Sequence, residues 1–411
     1  MKACEQTTAI TRIKQPTWFE QKLLNRLEAQ LDNSCGTLQL TLPSGYQCSL
    51  GSGSPHADVK LNNFKPLVRL YLGGINGWSE SYLAGEWECR DLTQLVKWAL
   101  AYEEQLGDLS KASIVTRTLH NLYHRRRDNT RKGSRKNIAA HYDLGNDFYK
   151  HWLDQSMTYS SALYQSEDEP LHLAQQNKYA RILELLEAED DHHVVEIGCG
   201  WGGFALKAST EHNLKVHGIT LSKEQLSWAQ NKVKDAKMDD RVHLSLTDYR
   251  DLNHQYDGVV SIEMFEAVGE AHWDTYFETL KKVLKPGGNA VLQVITIEDE
   301  RFESYRNQAD FIQRYVFPGG MLPSVSVLKD KIEEHGFTLK KHQLFGKDYA
   351  RTLREWYRDF ENSWDQIRPQ GFDDTFYRLW RYYLAYCEGG FEHGSIDVGL
   401  YVLAHKDEQH S

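Results

Sequence analysis

The feature that most constrains this chain lies at 194–203, where the apolar run Val194-Val195-Glu196-Ile197 opens directly into Gly198-Cys199-Gly200-Trp201-Gly202-Gly203. A short apolar run closed by glycines reads as a buried strand. A helix is expected to follow, so backbone amides at its start can approach a ligand closely. From about residue 190 the same rhythm repeats, with strands expected at 215–221, 241–246, 258–262 and 290–297 and helical segments between them. That order predicts an α/β fold: a doubly wound, mainly parallel sheet with helices on both faces. Farther on, Trp356, Phe360 and Trp364 share one helical face, and Phe376, Trp380, Leu384, Cys387 and Phe391 share another.

The glycine spacing satisfies both G-x-G-x-G and G-x-G-x-x-G, so the loop alone does not separate S-adenosylmethionine from a dinucleotide. Two neighbours separate them. A dinucleotide site needs a carboxylate about 20 positions on, at the end of the second strand, to bind the ribose hydroxyls. Here that strand ends in Gly218-Ile219-Thr220-Leu221-Ser222, without one. Instead Glu196 sits two positions before Gly198, where a carboxylate meets a cationic amino-acid end, and Asp248 follows the third strand, where one accepts from an adenine amino group. These placements favour S-adenosylmethionine.

The 411 residues are enough for two domains. Leu23, Leu24, Leu27 and Leu31 fall on one helical face, and Leu38, Leu40 and Leu42 alternate as in a strand. Turns follow at Pro43-Ser44-Gly45 and Gly51-Ser52-Gly53-Ser54-Pro55, and 67–105 reads as helical, dense in aromatics (Trp78, Tyr82, Trp87, Trp98). We therefore expect a smaller N-terminal α+β domain over 1–110, a basic linker over 111–140 and the sheet domain over 141–411. The linker carries Arg125, Arg126, Arg127, Arg131, Lys132, Arg135 and Lys136 against Asp128. Such a run is either a solvated hinge or an attraction to anionic lipid headgroups, worth roughly 1 kcal/mol per basic residue near the surface. The chain as a whole carries −10, which does not favour nucleic acid. No stretch reaches the roughly 20 apolar residues of a spanning helix, and the first fifteen residues lack the apolar core of a signal peptide, so a cytoplasmic protein is expected. Cysteines at 4, 35, 48, 89, 199 and 387 form no C-x-x-C pair, which reads as reduced thiols and no metal site.

The order of motifs then makes the chain recognisable. His141-Tyr142-Asp143-Leu144-Gly145-Asn146-Asp147-Phe148-Tyr149, Met157-Thr158-Tyr159-Ser160, the glycine loop with Glu196, Gly218 through Gln225, Asp248-Tyr249-Arg250-Asp251, Met264-Phe265-Glu266-Ala267-Val268-Gly269 and Tyr315 through Ser324 together resemble the cyclopropane fatty acid synthase family. Leu72-Gly73-Gly74 and Gly85-Glu86-Trp87 resemble the N-terminal domain of its bacterial members. The resemblance implies an S-adenosylmethionine-dependent enzyme that adds a methyl group to the cis double bond of an acyl chain on a membrane phospholipid and closes a cyclopropane. It also implies peripheral contact with the inner face of the membrane and a homodimer. An alkene is a poor nucleophile, so such chemistry needs in-line positioning in a dry pocket. The carbocation that follows is stabilised by aromatic faces that do not react with it.

Ring closure needs a base, and the resemblance implies a bound bicarbonate. Its holders carry over as Glu266, Tyr349 and the backbone at Ile295, with Ser161 where the family has cysteine and Gln293 where it has histidine. Gln293 donates a hydrogen bond but carries no charge. It therefore moves weight toward the alternative, methylation without ring closure. Cys387 matches a position often assigned to the active site, although the reaction needs no thiolate and a cysteine on an aromatic helical face is usually inert. For the cofactor the resemblance implies Tyr159 and Ser160 at the carboxylate end, Gly198 and Gly200 in the loop, Thr220, Leu221, Ser222 and Gln225 near the ribose, and Tyr249 near the adenine. His141 is either a channel residue or structural, and Pro318-Gly319-Gly320 either a stiffened lid or a surface loop.

Overall fold

The structure is a computed structural model that describes residues 15–31, 35–103, 105–106, 129–130, 133–134, 137–138 and 144–406. The basic run at 125–128, 131–132 and 135–136, and His141, lie outside the described residues. The chain divides into two compact units, Met1–Ser113 and Ile114–Ser411.

In the first unit, helix α1 (Trp18–Gln30) starts at a capping box: the Thr17 hydroxyl accepts from the Glu20 N–H while the Glu20 carboxylate accepts from the Thr17 N–H. Strands β1 (Gly36–Thr41) and β2 (Gln47–Ser52) form an antiparallel hairpin, and β3 (His56–Leu61) pairs parallel to β1. Leu38 and Leu40 point into the core, as their alternation requires, and Leu42 joins them. The region read as helical over 67–105 is divided into α2 (Lys65–Leu83) and α3 (Leu92–Ala101) by the short strand β4 (Trp87–Glu88). Gly85, with φ +68°, turns the chain out of α2. Trp87 is thus a sheet residue, fully buried and stacked on Trp78 at 4.5 Å.

The second unit carries α4 (Asn146–Tyr149), α5 (Leu171–Leu186), β5 (His193–Ile197), α6 (Gly203–His212), β6 (Lys215–Thr220), α7 (Lys223–Asp235), β7 (Val242–Leu246) and β8 (Tyr256–Ile262). It continues with α8 (Trp273–Val283), β9 (Leu284–Ile297), α9 (Asp299–Arg306), α10 (Phe311–Tyr315), α11 (Val325–Glu334), β10 (Phe337–Leu344), α12 (Gly346–Asn362), α13 (Trp364–Ile367), α14 (Asp374–His393) and β11 (Ile396–His405). The sheet order is β10-β11-β9-β8-β5-β6-β7, with β5 to β9 parallel and β11 antiparallel to both its neighbours. Val194, Val195 and Ile197 of β5 are buried, as a strand covered on both faces requires. The aromatic stripe read across 356–364 is interrupted: α12 ends at Asn362 and Trp364 opens α13, still against Phe360 at 5.7 Å.

Topology places the site. The chain runs outward from β5 through β6 to β7, then returns to lay β8 on the other side of β5. In open parallel sheets the crevice beyond the carboxyl ends of strands at such a reversal is where ligands bind. The loops that leave β5 and β8 begin at Gly198 and Glu263.

Candidate active site

At the carboxyl end of β5, Gly198 (φ +84°) and Gly200 (φ +50°) hold left-handed backbone that favours glycine. A Cβ on Gly200 would meet nothing within 4 Å, so the loop bounds open space. That space is a cleft of about 950 Å³, part of it open to solvent. Tyr159, Ser160, Glu196, Thr220, Gln225 and Tyr249 line it, together with Gly198, Gly200 and Leu221. Glu196 is buried at its edge, and burial pushes its carboxyl well up, an effect the Lys178 charge partly offsets. One of its carboxylate oxygens has no hydrogen-bond partner among the described residues.

Two expected cofactor residues stand back from the cleft. The Ser222 hydroxyl caps α7 by accepting from the Gln225 N–H at 3.3 Å, and the Ser222 N–H donates to the Thr220 hydroxyl at 3.1 Å. It shapes the turn that presents Thr220 and Gln225. Asp248 receives Arg250 through Nε at 2.8 Å and Nη2 at 2.7 Å, and also accepts from the Arg250 N–H. Its carboxylate is held by that guanidinium fork, which leaves Tyr249 to face the cleft.

The other end of the cleft is organised around Glu263. This residue follows β8 with φ +50°, unusual for a side chain of its size, and lines the cleft. Its carboxylate accepts from the Ser161 N–H at 2.8 Å, the Gln293 side-chain amide at 2.7 Å and the Tyr349 hydroxyl at 2.7 Å. Burial raises the Glu263 carboxyl, while these donors and the charge of Lys178 act in the opposite sense. Beside it, Glu266 accepts from the Ile295 N–H, and burial together with the Glu263 charge pushes its carboxyl up to about 8. Ser161, Gln293, Tyr349, Ile295 and Glu266 are therefore brought together, from four separate stretches of chain. Bicarbonate, expected here, does not fit these donors as they stand, because one carboxylate receives the hydrogen bonds of three of its expected holders.

Aromatic rings pack around this cluster, with Tyr159 lining the cleft itself. Tyr159 packs on Trp356 at 5.2 Å and Trp152 at 5.4 Å, and Tyr349 packs on Phe391 at 4.5 Å. Cys387 lies in the same aromatic layer on α14, but burial, with nearby Asp310, pushes its thiol well above the ordinary range, so it is not a thiolate nucleophile. The 318–323 segment is pinned to the site: the Met321 N–H donates to the Glu266 carbonyl at 2.8 Å, and the Ile297 N–H to the Pro323 carbonyl at 3.0 Å.

Comparison with known proteins identifies the lineage. The family model for mycolic acid cyclopropane synthetase matches residues 129–400. The chain belongs to this family. A tuberculostearic acid methyltransferase of Mycobacterium tuberculosis is 37% identical over 340 residues, covering 80% of this chain and 79% of that protein. The cyclopropane-fatty-acyl-phospholipid synthase of Escherichia coli K12 is 35% identical over 357 residues, covering 86% and 89%. Among solved structures, the cyclopropane synthase MmaA2 of M. tuberculosis superposes with a TM-score of 0.62 at 29% identity, over 66% of this chain and 98% of that one. The mycolic acid cyclopropane synthase CmaA1, solved with S-adenosylhomocysteine, gives a TM-score of 0.62 at 28% identity, over 66% and 97%. This synthetase-family chain is an S-adenosylmethionine-dependent C-methyltransferase.

The cleft suits that cofactor on its own terms: an unpartnered buried carboxylate oxygen on Glu196 faces a glycine loop with room at Gly200. Two residues escaped the sequence reading. Lys178, fully buried on α5, donates to the Ser160 hydroxyl at 2.6 Å, and burial lowers its ammonium to about 8 against the pull of Glu263, Asp154 and Glu196. A lysine among apolar helix positions gives no sign of this. Glu263 had a signal in its position, one residue past a parallel strand and directly before Met264-Phe265-Glu266.

Proposed function

We propose that this enzyme transfers a methyl group from S-adenosylmethionine to the cis double bond of an unsaturated acyl chain carried by a membrane phospholipid, and that a proton then leaves the added methyl to close a cyclopropane. The observation that carries the reading is the junction of a cofactor cleft, lined by Glu263 and Tyr159, with a buried carboxylate pair, Glu263 and Glu266, packed among aromatic rings. When bound, S-adenosylmethionine supplies an electrophilic sulfonium methyl. Glu196, Gly198, Gly200, Tyr159 and Ser160 hold its amino-acid end, Thr220, Leu221 and Gln225 its ribose, and Tyr249 its adenine. Tyr159, Trp356 and Tyr349 exclude water from the acceptor end and offer ring faces to the cation. The names of the E. coli and M. tuberculosis relatives support a lipid acceptor.

A second reading, methylation without ring closure, is favoured by Gln293. The neutral amide leaves no histidine charge near the base, so a hydride shift along the chain has more time to precede proton loss. The first route forms two carbon–carbon σ bonds at the expense of the double bond, the second forms one σ bond and a new double bond, and each loses one proton.

Bilayer contact through the N-terminal unit fits this function. No helix among the described residues is long and apolar enough to cross a membrane. Instead Trp18, Phe19, Val68 and Tyr71 are exposed, with Lys22 over the Trp18 ring and Lys65 on the same helix as Val68 and Tyr71. Apolar rings beside cations suit an anionic lipid surface.

The test is incubation of vesicles of monounsaturated phospholipid with methyl-labelled S-adenosylmethionine, followed by gas chromatography before and after mild hydrogenation. A labelled acyl product that resists hydrogenation supports the cyclopropane, and one that takes up two hydrogens supports the second reading. No label in the acyl chains rejects both.

A further inference from the structure

We propose that Glu263 is the resident anion of this active site: its side chain fills the position where a bound bicarbonate was expected and itself removes the proton from the added methyl. The inference rests on the methyl-transfer reading above and names the base for it.

The geometry has two parts. First, the donors converge. The Ser161 N–H, the Gln293 amide and the Tyr349 hydroxyl come from distant segments, and all three end on the two oxygens of Glu263 at 2.7 to 2.8 Å. Three donors aimed at one point in a buried site make an anion site, and here the anion is covalently part of the chain. An external carboxylate-like ion would have to displace a charge already fully hydrogen-bonded. Second, the two neighbouring carboxyl groups are unequally served. Glu263 has these three donors and the charge of Lys178, whereas one oxygen of Glu266 accepts from Ile295 and the other has no partner among the described residues. Of two close carboxyls, the better-solvated one holds the negative charge and the poorer one the proton. Glu263 is then the base and Glu266 its neutral neighbour.

The backbone gives a further sign. A non-glycine residue at φ +50° carries a local conformational cost, of order 1–3 kcal/mol. Glycine would remove that cost, so the glutamate is kept against the local preference, as expected of a group that acts. Gln293 also fits: an uncharged donor suffices where the anion is tethered.

The step balances. The alkene electron pair forms a bond to the methyl carbon as the carbon–sulfur bond breaks, leaving a chain cation. A methyl C–H bond then breaks, its electron pair closes the ring carbon–carbon bond, and the proton passes to a Glu263 oxygen. On the second reading the same proton leaves after a hydride shift and its pair forms a carbon–carbon double bond. The proton is released to solvent when the product leaves.

The experiment compares the unaltered protein with Glu263→Gly and Glu263→Gln, each checked for folding by thermal unfolding. Bicarbonate is titrated calorimetrically into each, and turnover on monounsaturated phospholipid vesicles is measured in carbon dioxide-free buffer with and without added bicarbonate. We expect no bicarbonate binding to the unaltered protein and turnover within about twofold with or without the ion. Glu263→Gly, folded at least as stably, should lose on the order of 100-fold in rate, bind bicarbonate and regain activity when it is added. Glu263→Gln should lose activity without rescue, because its amide still fills the site. Bicarbonate binding to the unaltered protein, bicarbonate-dependent turnover, or an active Glu263→Gln protein would overturn the proposal. If the unaltered protein methylates none of these lipids, the substrate reading fails, while calorimetry on the unaltered and Gly proteins still decides whether the anion site is filled from within.

Discussion

The two ends of the cleft are built in different ways. The cofactor end is mostly backbone: a glycine loop after β5 and a self-bonded turn from Thr220 to Gln225, each a few consecutive residues long. The acceptor end is a convergence of remote groups, with Ser161, Glu263, Gln293 and Tyr349 drawn from a loop, the turn after β8, the body of β9 and a helix. Backbone sites are fixed by local conformation and tolerate drift in the side chains around them. Convergent sites depend on a few groups, so single replacements there change the chemistry and leave binding intact.

That contrast can be broken most forcefully at Gly200. Gly200→Val places a β-branched side chain at φ +50° and in the open space of the loop. Cofactor affinity should fall on the order of 100-fold, read by calorimetric titration with S-adenosylhomocysteine, and an unchanged affinity would remove the loop from the cofactor site. At the other end, Tyr349→Phe deletes one donor to Glu263 and should lower kcat on the order of tenfold with cofactor affinity unchanged. A loss of affinity instead of rate would mean that the two ends are not separable.

Glu266 gives a smaller, pH-dependent effect. Burial and the Glu263 charge push its folded carboxyl up to about 8 from an ordinary 4.5, so between those values the folded state keeps a proton that the unfolded chain has released. Stability therefore falls as pH rises through that window. Burial raises the Glu196 carboxyl as well and acts in the same sense. Glu266→Gln should leave a shallower decline in unfolding temperature between pH 6 and pH 8, and an unaltered slope would place the buried proton elsewhere. The smallest change belongs to neither end. Trp18→Ala with Tyr71→Ala should weaken binding to anionic vesicles by several-fold with cofactor affinity intact, whereas unchanged vesicle binding would exclude this face as the bilayer contact.

The same contrast explains what was legible in the sequence. The strands β5, β8 and β9 announce themselves because a strand buried on both faces is written as an apolar run, and β7, at the sheet edge, through the alternation of Val242, Leu244 and Leu246. Strand β10 does not: it is an edge strand whose Lys340, Lys341 and His342 are exposed, so no apolar pattern marks it. The cofactor loop is visible because its glycines are local. Glu266, Gln293 and Tyr349 were found through motif resemblance, and the structure brings them together. Glu263, the hub on which Ser161, Gln293 and Tyr349 converge, carries only a positional signal, since nothing local says that three remote donors will meet there. Asp248, placed by its sequence position to accept from an adenine amino group, also receives a fork from Arg250, two residues away, that only the folded turn reveals.

The central claim, methyl transfer to a lipid double bond followed by proton removal from the added methyl, is tested most directly with a donor whose methyl carries three deuteriums. Acyl products from monounsaturated phospholipid vesicles are then weighed by mass spectrometry. The account predicts two deuteriums per product, because Glu263 takes the third whether the chain closes a ring or ends as a methylene. Three retained deuteriums would mean that the proton leaves from the chain, and an unlabelled lipid would mean that the acceptor is not an acyl chain.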